Sequence, residues 1–257
     1  FKVINESQWE WEKYELKSEA GFQRNFRQEW SQYVSHGYMP PTYSGNEGFD
    51  PGLERQFNKY VYSANLEGSY YPADQTSYTA GINGAYQDNH IDGRGFIIPA
   101  FRQLNLGSFV LVKHSITGKS ILQGGFRYDY GNIQTDQYND WFASPDVSGT
   151  DTTYQYLQRA DELNRNFSNV SWSVGYNYNT QHWSFKANIG KSFRMPIAKE
   201  LGANGVNYHH FSYEVGNPQL SPEISYQADA GIEYSSEKLA LDLTPFVYYF
   251  SNYLYLN

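Results

Sequence analysis

The chain has no cysteine among its 257 residues. That excludes a disulfide scaffold and any thiolate-bound metal, and it says little about compartment. Long apolar runs are missing too. No stretch approaches the roughly 18 consecutive apolar residues of a membrane helix, and mean hydropathy is −0.69. Basic charge is scarce: 19 Lys and Arg stand against 27 Asp and Glu, a net charge of −8. With no basic stripe in view, nucleic acid is not the expected partner. There is no nucleophile elbow and no HExxH spacing, so no enzyme and no cofactor are expected. No internal repeat beyond the hairpin, no low-complexity tract and no interdomain linker is visible. The chain starts at Phe1 without a signal-peptide pattern and stops at Asn257 without a closing strand, which reads as a piece of a longer precursor.

What is present is aromatic and two-faced. The sequence holds 25 Tyr, 16 Phe and six Trp. From about residue 12 onward, about nine segments carry an apolar or aromatic residue at every second position, the period of a β-strand and not of a helix. The first, about 12–24, sets Tyr14, Leu16, Ala20 and Phe22 against Glu15, Lys17, Glu19 and Gln23. The next, about 56–70, sets Tyr60, Tyr62, Ala64, Leu66 and Tyr70 against Lys59, Asn65 and Glu67. In 76–88 the apolar face is Tyr78, Ala80, Ile82 and Tyr86. The segment 104–115 reads with either parity. In 120–130, Leu122, Phe126, Tyr128 and Tyr130 alternate with Gln123, Gly125, Arg127 and Asp129. A hairpin follows, Val170, Trp172, Val174, Tyr176 and Tyr178 on one arm and Trp183, Phe185, Ala187 and Ile189 on the other. The segment 222–235 contributes Tyr226, Ala228, Ala230, Ile232 and Tyr234. The last starts near Leu239 and becomes ambiguous beyond Pro245.

The links between these segments alternate in length. Those at 27–55, 89–103, 131–165 and 195–221 are long; those at 71–75, 116–119, 180–182 and 236–238 are short. Tight turns at one end and long loops at the other place the two ends in different environments. Small residues lie among the outward aliphatics, and aromatics gather toward strand ends. Together these point to an all-β, antiparallel transmembrane β-barrel, with lipid on one face, a polar lumen on the other and aromatic girdles. A soluble β-sandwich also alternates, but it does not sort its loops by length. The stretch 131–165, with Gly131, Pro145 and Gly149, reads as a long surface loop.

Three ordered motifs narrow the class: GGFRYDY at 124–130, KSFRMPIAKEL at 191–201 and YEVGNPQLSPEISYQADAGIEY at 213–234. In this order and spacing they resemble the barrel of TonB-dependent outer-membrane receptors. The stretch RNFRQEWSQYVSHGYMPP at 24–41 resembles a Bacteroidetes subgroup of that family. The resemblance covers most of the chain. It implies a barrel of about 22 strands, of which about nine to ten lie here, so residues 1–257 are expected to be a partial barrel domain lacking the plug and the remaining strands. It further implies a place in the outer membrane of a Gram-negative bacterium, contact with its lipid and lipopolysaccharide, the TonB complex as a partner acting through the plug, and a small-molecule metal chelate as cargo. A surface lipoprotein is a further expected partner in some branches.

Several residues stand out against that background. Arg127, Asp129, Arg194 and Asp229 face the lumen by parity. They fit either a plug-facing surface or a salt-bridge lattice within the wall. Pro196, Gly216 and Pro218 read as strand-end and turn residues. His36, His90, His209 and His210 fall in the long links, and Asp88 and Asp92 flank His90. His209 and His210 are the candidate metal ligands; ordinary solvated loop histidines are the plainer reading. The segment GANGVNYHHFSYEVGNP resembles loops of a receptor subset with zinc and haem importers, although the long His-rich loop of zinc importers is missing. Tyr33, Tyr38, Tyr43, Trp141, Phe142, Tyr154 and Tyr156 are candidates for a ligand-binding surface, since ring faces stack on flat ligands and sugars; packing among themselves is the alternative. The leading functional reading is import of a ferric siderophore, haem or zinc. An oligosaccharide or peptide importer of the same superfamily and a non-transporting adhesin barrel are the alternatives.

Overall fold

The computed structural model describes residues 1–207 and 212–255. In chain order its elements are β1 (Lys2–Glu10), β2 (Tyr14–Trp30), β3 (Leu53–Ala73), β4 (Thr76–Asp92), β5 (Phe101–Thr117), β6 (Ser120–Thr135), β7 (Tyr138–Ser148), β8 (Asp151–Ala160), β9 (Leu163–Asn179), β10 (Trp183–Arg194), α1 (Ala198–Gly202), β11 (Asn204–Asn207), β12 (Ser212–Val215), β13 (Glu223–Ser235), β14 (Ala240–Leu243) and β15 (Phe246–Ser251). One antiparallel sheet runs β1-β2-β3-β4-β5-β6-β9-β10-β13, with β14 and β15 end to end on β13. Two small hairpins, β7-β8 and β11-β12, stand apart from it. The strand β1 precedes the first one expected and pairs with β2 from Lys2↔Gln23 to Glu10↔Glu15.

The apolar face of the wall is a band of constant height. Its lower edge is a registered row, Tyr14, Tyr70 and Tyr78, with ring centroids 4.9 and 6.5 Å apart. Its upper edge is another, Phe22, Tyr62, Tyr86 and Leu104. Along β2, the eight steps from Tyr14 to Phe22 span about 26 Å of strand at about 3.3 Å each. A tilt of about 40° reduces that to roughly 20 Å, near the height of an outer-membrane apolar band. Toward β9 the upper edge drops by registered rows, to Tyr130 and then Val170. The lower edge drops with it, to Tyr176, to the Tyr178–Phe185 pair and to Trp183–Tyr234. Both edges slide together because tilted strands meet a flat membrane in staggered register.

Parity is settled where the sequence left it open. On β5, Leu104, Leu106, Val110 and Val112 share the lipid face with Tyr86, Ile82 and Tyr78, while Phe109 and Leu111 lie on the lumen face. The lumen face makes room for them: a Cβ at Gly81 would meet the Phe109 ring at 2.6 Å, and one at Gly125 would meet Leu111 Cδ2 at 2.6 Å. On β15, Val247 and Tyr249 pair with Ala228 and Tyr226 on the lipid face.

Two of the expected loops are built differently. The stretch 131–165 is no free loop: β6 continues to Thr135, and β7 and β8 form a two-stranded ribbon. The stretch 195–221 contains α1 and the β11-β12 hairpin, and it folds inward. Ala198 and Leu201 of α1 pack on Ile133 and Phe167, both of lumen parity. Pro196 and Pro99 are fully buried beside them. We call this layer, residues 93–100 together with 195–207 and 212–220, the inner cap.

Candidate functional site

The chemistry that the chain can offer gathers at the long-loop end, where the inner cap, the ribbon base and residues 31–52 meet. Arg94 organises one side. Its guanidinium donates to the carbonyls of Gln32 (3.3 Å), Pro51 (3.4 Å) and Ser31 (3.5 Å) and to the Ser31 hydroxyl. It also pairs with Glu54 at 3.7 Å and lies 5.7 Å from the Tyr33 ring centroid. Its own carbonyl accepts a bond from Trp141 Nε1 at 3.0 Å.

Around Trp141 the rings of Tyr33, Tyr43, Phe49 and Phe142 lie 5.3 to 6.3 Å away, mostly edge-on or tilted. The phenol of Tyr33 donates to the Pro40 carbonyl and that of Tyr43 to the Phe49 carbonyl. Burial pushes both phenols above the usual tyrosine range, so the cluster stays neutral. Beside it Phe96 stacks on Tyr138 at 4.3 Å, and the buried Tyr138 hydroxyl is pushed up to about 12. A cavity of about 210 Å³ opens here, lined chiefly by Phe49, Phe57, Phe96, Tyr138, Trp141 and Arg55. The one cation in that group, Arg55, is buried and paired with Glu54 (3.2 Å) and Glu29 (3.6 Å). Asp92, Gln56 and Asn139 complete its polar edge, so the cavity is aromatic on one side and polar on the other, suited to a flat group with a polar rim.

The ribbon base is tied to the inner cap by Arg159. Its guanidinium donates to the Asn204 carbonyl (2.7 and 3.2 Å), the Tyr213 hydroxyl (2.7 Å) and Asp140 Oδ2 (3.3 Å). Tyr213 in turn donates to Asn204 Oδ1 at 2.7 Å, and Asn204 Nδ2 donates to the Arg159 carbonyl at 2.9 Å. Asp140 is buried. Burial holds its carboxyl above the usual aspartate range, against the pull of Arg159. The folded form thus binds that proton more tightly than the unfolded chain does. Keeping Asp140 charged costs stability at neutral pH, and the cost is relieved as pH falls through the raised folded value. Asp140→Asn is accordingly expected to leave the ribbon base at least as well protected at pH 7, measured by amide hydrogen exchange over 138–160. A large loss of protection would show that the charge itself holds the base.

The residues expected from sequence scatter across this end of the molecule. Trp141 is at the centre of the aromatic cluster, and Tyr33, Tyr43 and Phe142 join it. His36 and Tyr38 lie exposed in 31–52. His90 is not in a loop: β4 runs on to Asp92 because its backbone stays paired with β3 up to Gln56↔Asp92. It stands on the outward face, 3.3 Å from Asp88 and against the Tyr60 ring. Tyr154 and Tyr156 are exposed on the ribbon, away from the cluster. His209 and His210 lie outside the described residues. Among the described residues, no group of three or more His, Cys, Asp or Glu could hold a metal ion.

The lumen-facing charges are partnered by the wall or by the inner cap. Arg127 Nε donates to both Asp129 oxygens at 2.7 and 2.9 Å and its Nη2 to Asn83 at 2.7 Å. The arginine lies flat over Gly107, where a Cβ would meet Nη2 at 2.1 Å. Arg194 bonds Glu200 of α1 at 2.9 and 3.0 Å, and Asp229 accepts from Asn188 at 2.7 Å. Phe49, Phe96, Tyr138, Arg94 and Arg159 were not visible as site residues in the sequence.

The family model described as TonB dependent receptor-like, beta-barrel matches residues 5–257. No curated protein matches the chain. Among solved structures, the chain is similar to the FrpB iron transporter of Neisseria meningitidis (F3-3 variant), with a TM-score of 0.60 at 17% identity over 91% of this chain and 33% of that one. It is similar to the copper transporter OprC, with a TM-score of 0.62 at 15% identity over 91% of this chain and 36% of that one. It is also similar to a double mutant of the Serratia marcescens hemophore receptor HasR in complex with its hemophore HasA and heme, at 0.53 and 16% identity over 97% and 42%. At such identities the likeness speaks for the fold alone. The chain spans between a third and less than half of the length of these proteins.

Proposed function

The chain belongs to the TonB-dependent receptor β-barrel family, and from that premise we propose that it supplies wall and outer mouth to a receptor importing a metal chelate across the outer membrane of a Gram-negative bacterium. The cargo is a ferric siderophore or haem rather than bare zinc. The aromatic wall of the cavity beside Trp141 carries this reading. Ring faces grip a chelate through its flat or apolar ligand shell, whereas a bare cation needs converging carboxylates or imidazoles. The TonB complex would act through a plug outside these residues. Iron, copper and hemophore–heme proteins among the structural neighbours support cargo of this class.

The test is binding of haem, a ferric catecholate and Zn²⁺ to the intact receptor, followed by tryptophan quenching. One of the two chelates is expected to bind and zinc is not. Trp141→Ala is expected to remove about 0.5–1.5 kcal/mol of aromatic contact, a loss of roughly 2- to 12-fold in affinity. Zinc binding without chelate binding would defeat the chelate reading. Capture without TonB-dependent uptake would favour a surface-binding barrel.

A further inference from the structure

We infer that Arg159 is a positioning residue that couples the β7-β8 ribbon outside the barrel to the inner cap on the lumen wall, so that pressure on the ribbon is felt inside the lumen. The inference rests on the capture reading above for its purpose, not for its geometry. The ribbon is a lever in shape. Beyond its base it is exposed: Val147, Tyr154 and Tyr156 are 67, 71 and 64% accessible and share one face, with Pro145↔Tyr154 and Val147↔Thr152 in register. Its base is buried at Asp140, Ser144 and Ala160. An aromatic-faced arm that meets solvent at its tip and is embedded at its base is built to transmit displacement.

What the base grips decides where the displacement goes. On one side, Trp141 and Tyr138 pack on residues 31–52 and on Phe96, mainly through ring contacts that tolerate sliding. On the other side, the contact with the cap is directional. The planar guanidinium of Arg159 holds Asp140 on its own ribbon and, at once, the Asn204 carbonyl and Tyr213 hydroxyl of the β11-β12 hairpin. Such a fork fixes orientation as well as distance. The main chain of the cap is continuous from Asn204 back to α1, whose Leu201 and Ala198 sit on Ile133 and Phe167 of the lumen wall. The Ala203 amide bonds the Lys199 carbonyl at 3.0 Å, and the Gly216 amide bonds the Ala203 carbonyl at 2.7 Å, so hairpin and helix move together. Arg159 thus supplies the charged, forked link between an exposed arm and a lumenal element, beside the single bonds from Trp141 Nε1 to the Arg94 carbonyl and from Asn204 Nδ2 to the Arg159 carbonyl.

Coupling between two elements is reciprocal, which allows a test without cargo. Hydrogen exchange of the intact receptor would be followed at the ribbon (141–146 and 153–158) and at the cap (198–206). Two perturbations are applied at residues that make no bond to Arg159: Leu201→Ala in the cap, and replacement of the ribbon tip, 147–152, by glycine and serine. In the parent, each is expected to speed exchange at the other element severalfold. In the Arg159→Ala background each effect at the other element should shrink severalfold, since only the bonds from Trp141 to the Arg94 carbonyl and from Asn204 to the Arg159 carbonyl are left. Arg159→Lys keeps a cation near Asp140 but lacks the fork, and should uncouple too; it serves if the alanine variant fails to fold, with protected wall strands as the check on folding. Transmission undiminished in both arginine variants, or none in the parent, would overturn the assignment. Neither result depends on whether a chelate binds, so failure here is distinguishable from failure of the capture reading.

Discussion

Lysine at Val174 is expected to impair insertion and folding of the wall by roughly 2–4 kcal/mol, while lysine at the adjacent Ser173 is tolerated. Val174 sits midway along the lipid-facing run of β9, between Val170 and Tyr178, and is registered with Ile189 on β10. It is 43% exposed and its neighbour Ile189 is 51% exposed. Both belong to a continuous exposed apolar face with Trp172, Phe126 and Val110, larger than a water-facing surface ordinarily carries. In water a lysine there would be harmless or stabilising. In hydrocarbon it must carry an unpaired charge, and the midplane leaves it the longest reach to either interface. Ser173 has the opposite parity, on the lumen wall near Gly190 and Gly125, beside Gln227 and the lumenal Leu111. Arginine or lysine at Ile189 and Ile232 should behave as at Val174, and substitutions at Asn188 as at Ser173. The measurement is urea-driven unfolding of the intact receptor in lipid vesicles. Equal sensitivity of the two parities would mean that the apolar stripe is not the lipid face.

The wall was legible in the sequence because lipid and lumen impose a strict period of two on every long strand. The exceptions have local causes. On β1 the outward positions opposite Ala20 and Ser18 are Asn5 and Ser7, so its alternation is faint and the strand went unread. On β5 the lumenal Phe109 and Leu111 blur the parity, and only the glycines across from them reveal why they fit. The ribbon looks like a loop because most of its length buries nothing; its polar residues carry no one-sided pattern. The helix α1 spans five residues, too few for a 3.6-residue period to show. The site was half legible. Trp141, Tyr33 and Tyr43 could be named as loop aromatics, but Phe49, Phe96 and Tyr138 join them only through tertiary contact. His90 belongs to the strand because the turn marker, Asp92-Gly93 with Gly93 at positive φ, lies just beyond it.

Leu201→Ala is expected to destabilise the inner cap by about 2–5 kcal/mol, the range for deleting a fully buried leucine side chain where the surroundings cannot collapse. Leu201 is 2% exposed and rests on Ile133, Phe167 and Ala198, with Phe101, Leu163, Met195 and Leu220 around them. Collapse is hindered on both sides. Below lies the hydrogen-bonded wall, which cannot yield without breaking its ladder. Above, the backbone of the cap is already in contact with itself: a Cβ at Gly216 would lie 2.7 Å from the Leu201 carbonyl carbon, and one at Gly205 would lie 2.1 Å from the Phe96 oxygen. The loss should appear as faster exchange and new protease cleavage over 195–220. The wall strands should keep their protection, because their stability comes from the ladder and from lipid, not from this small core. If the variant instead lost the whole barrel, the cap would be part of one cooperative unit with the wall; it could not then move alone, and an outside arm pressing on it through Arg159 would have nothing to displace.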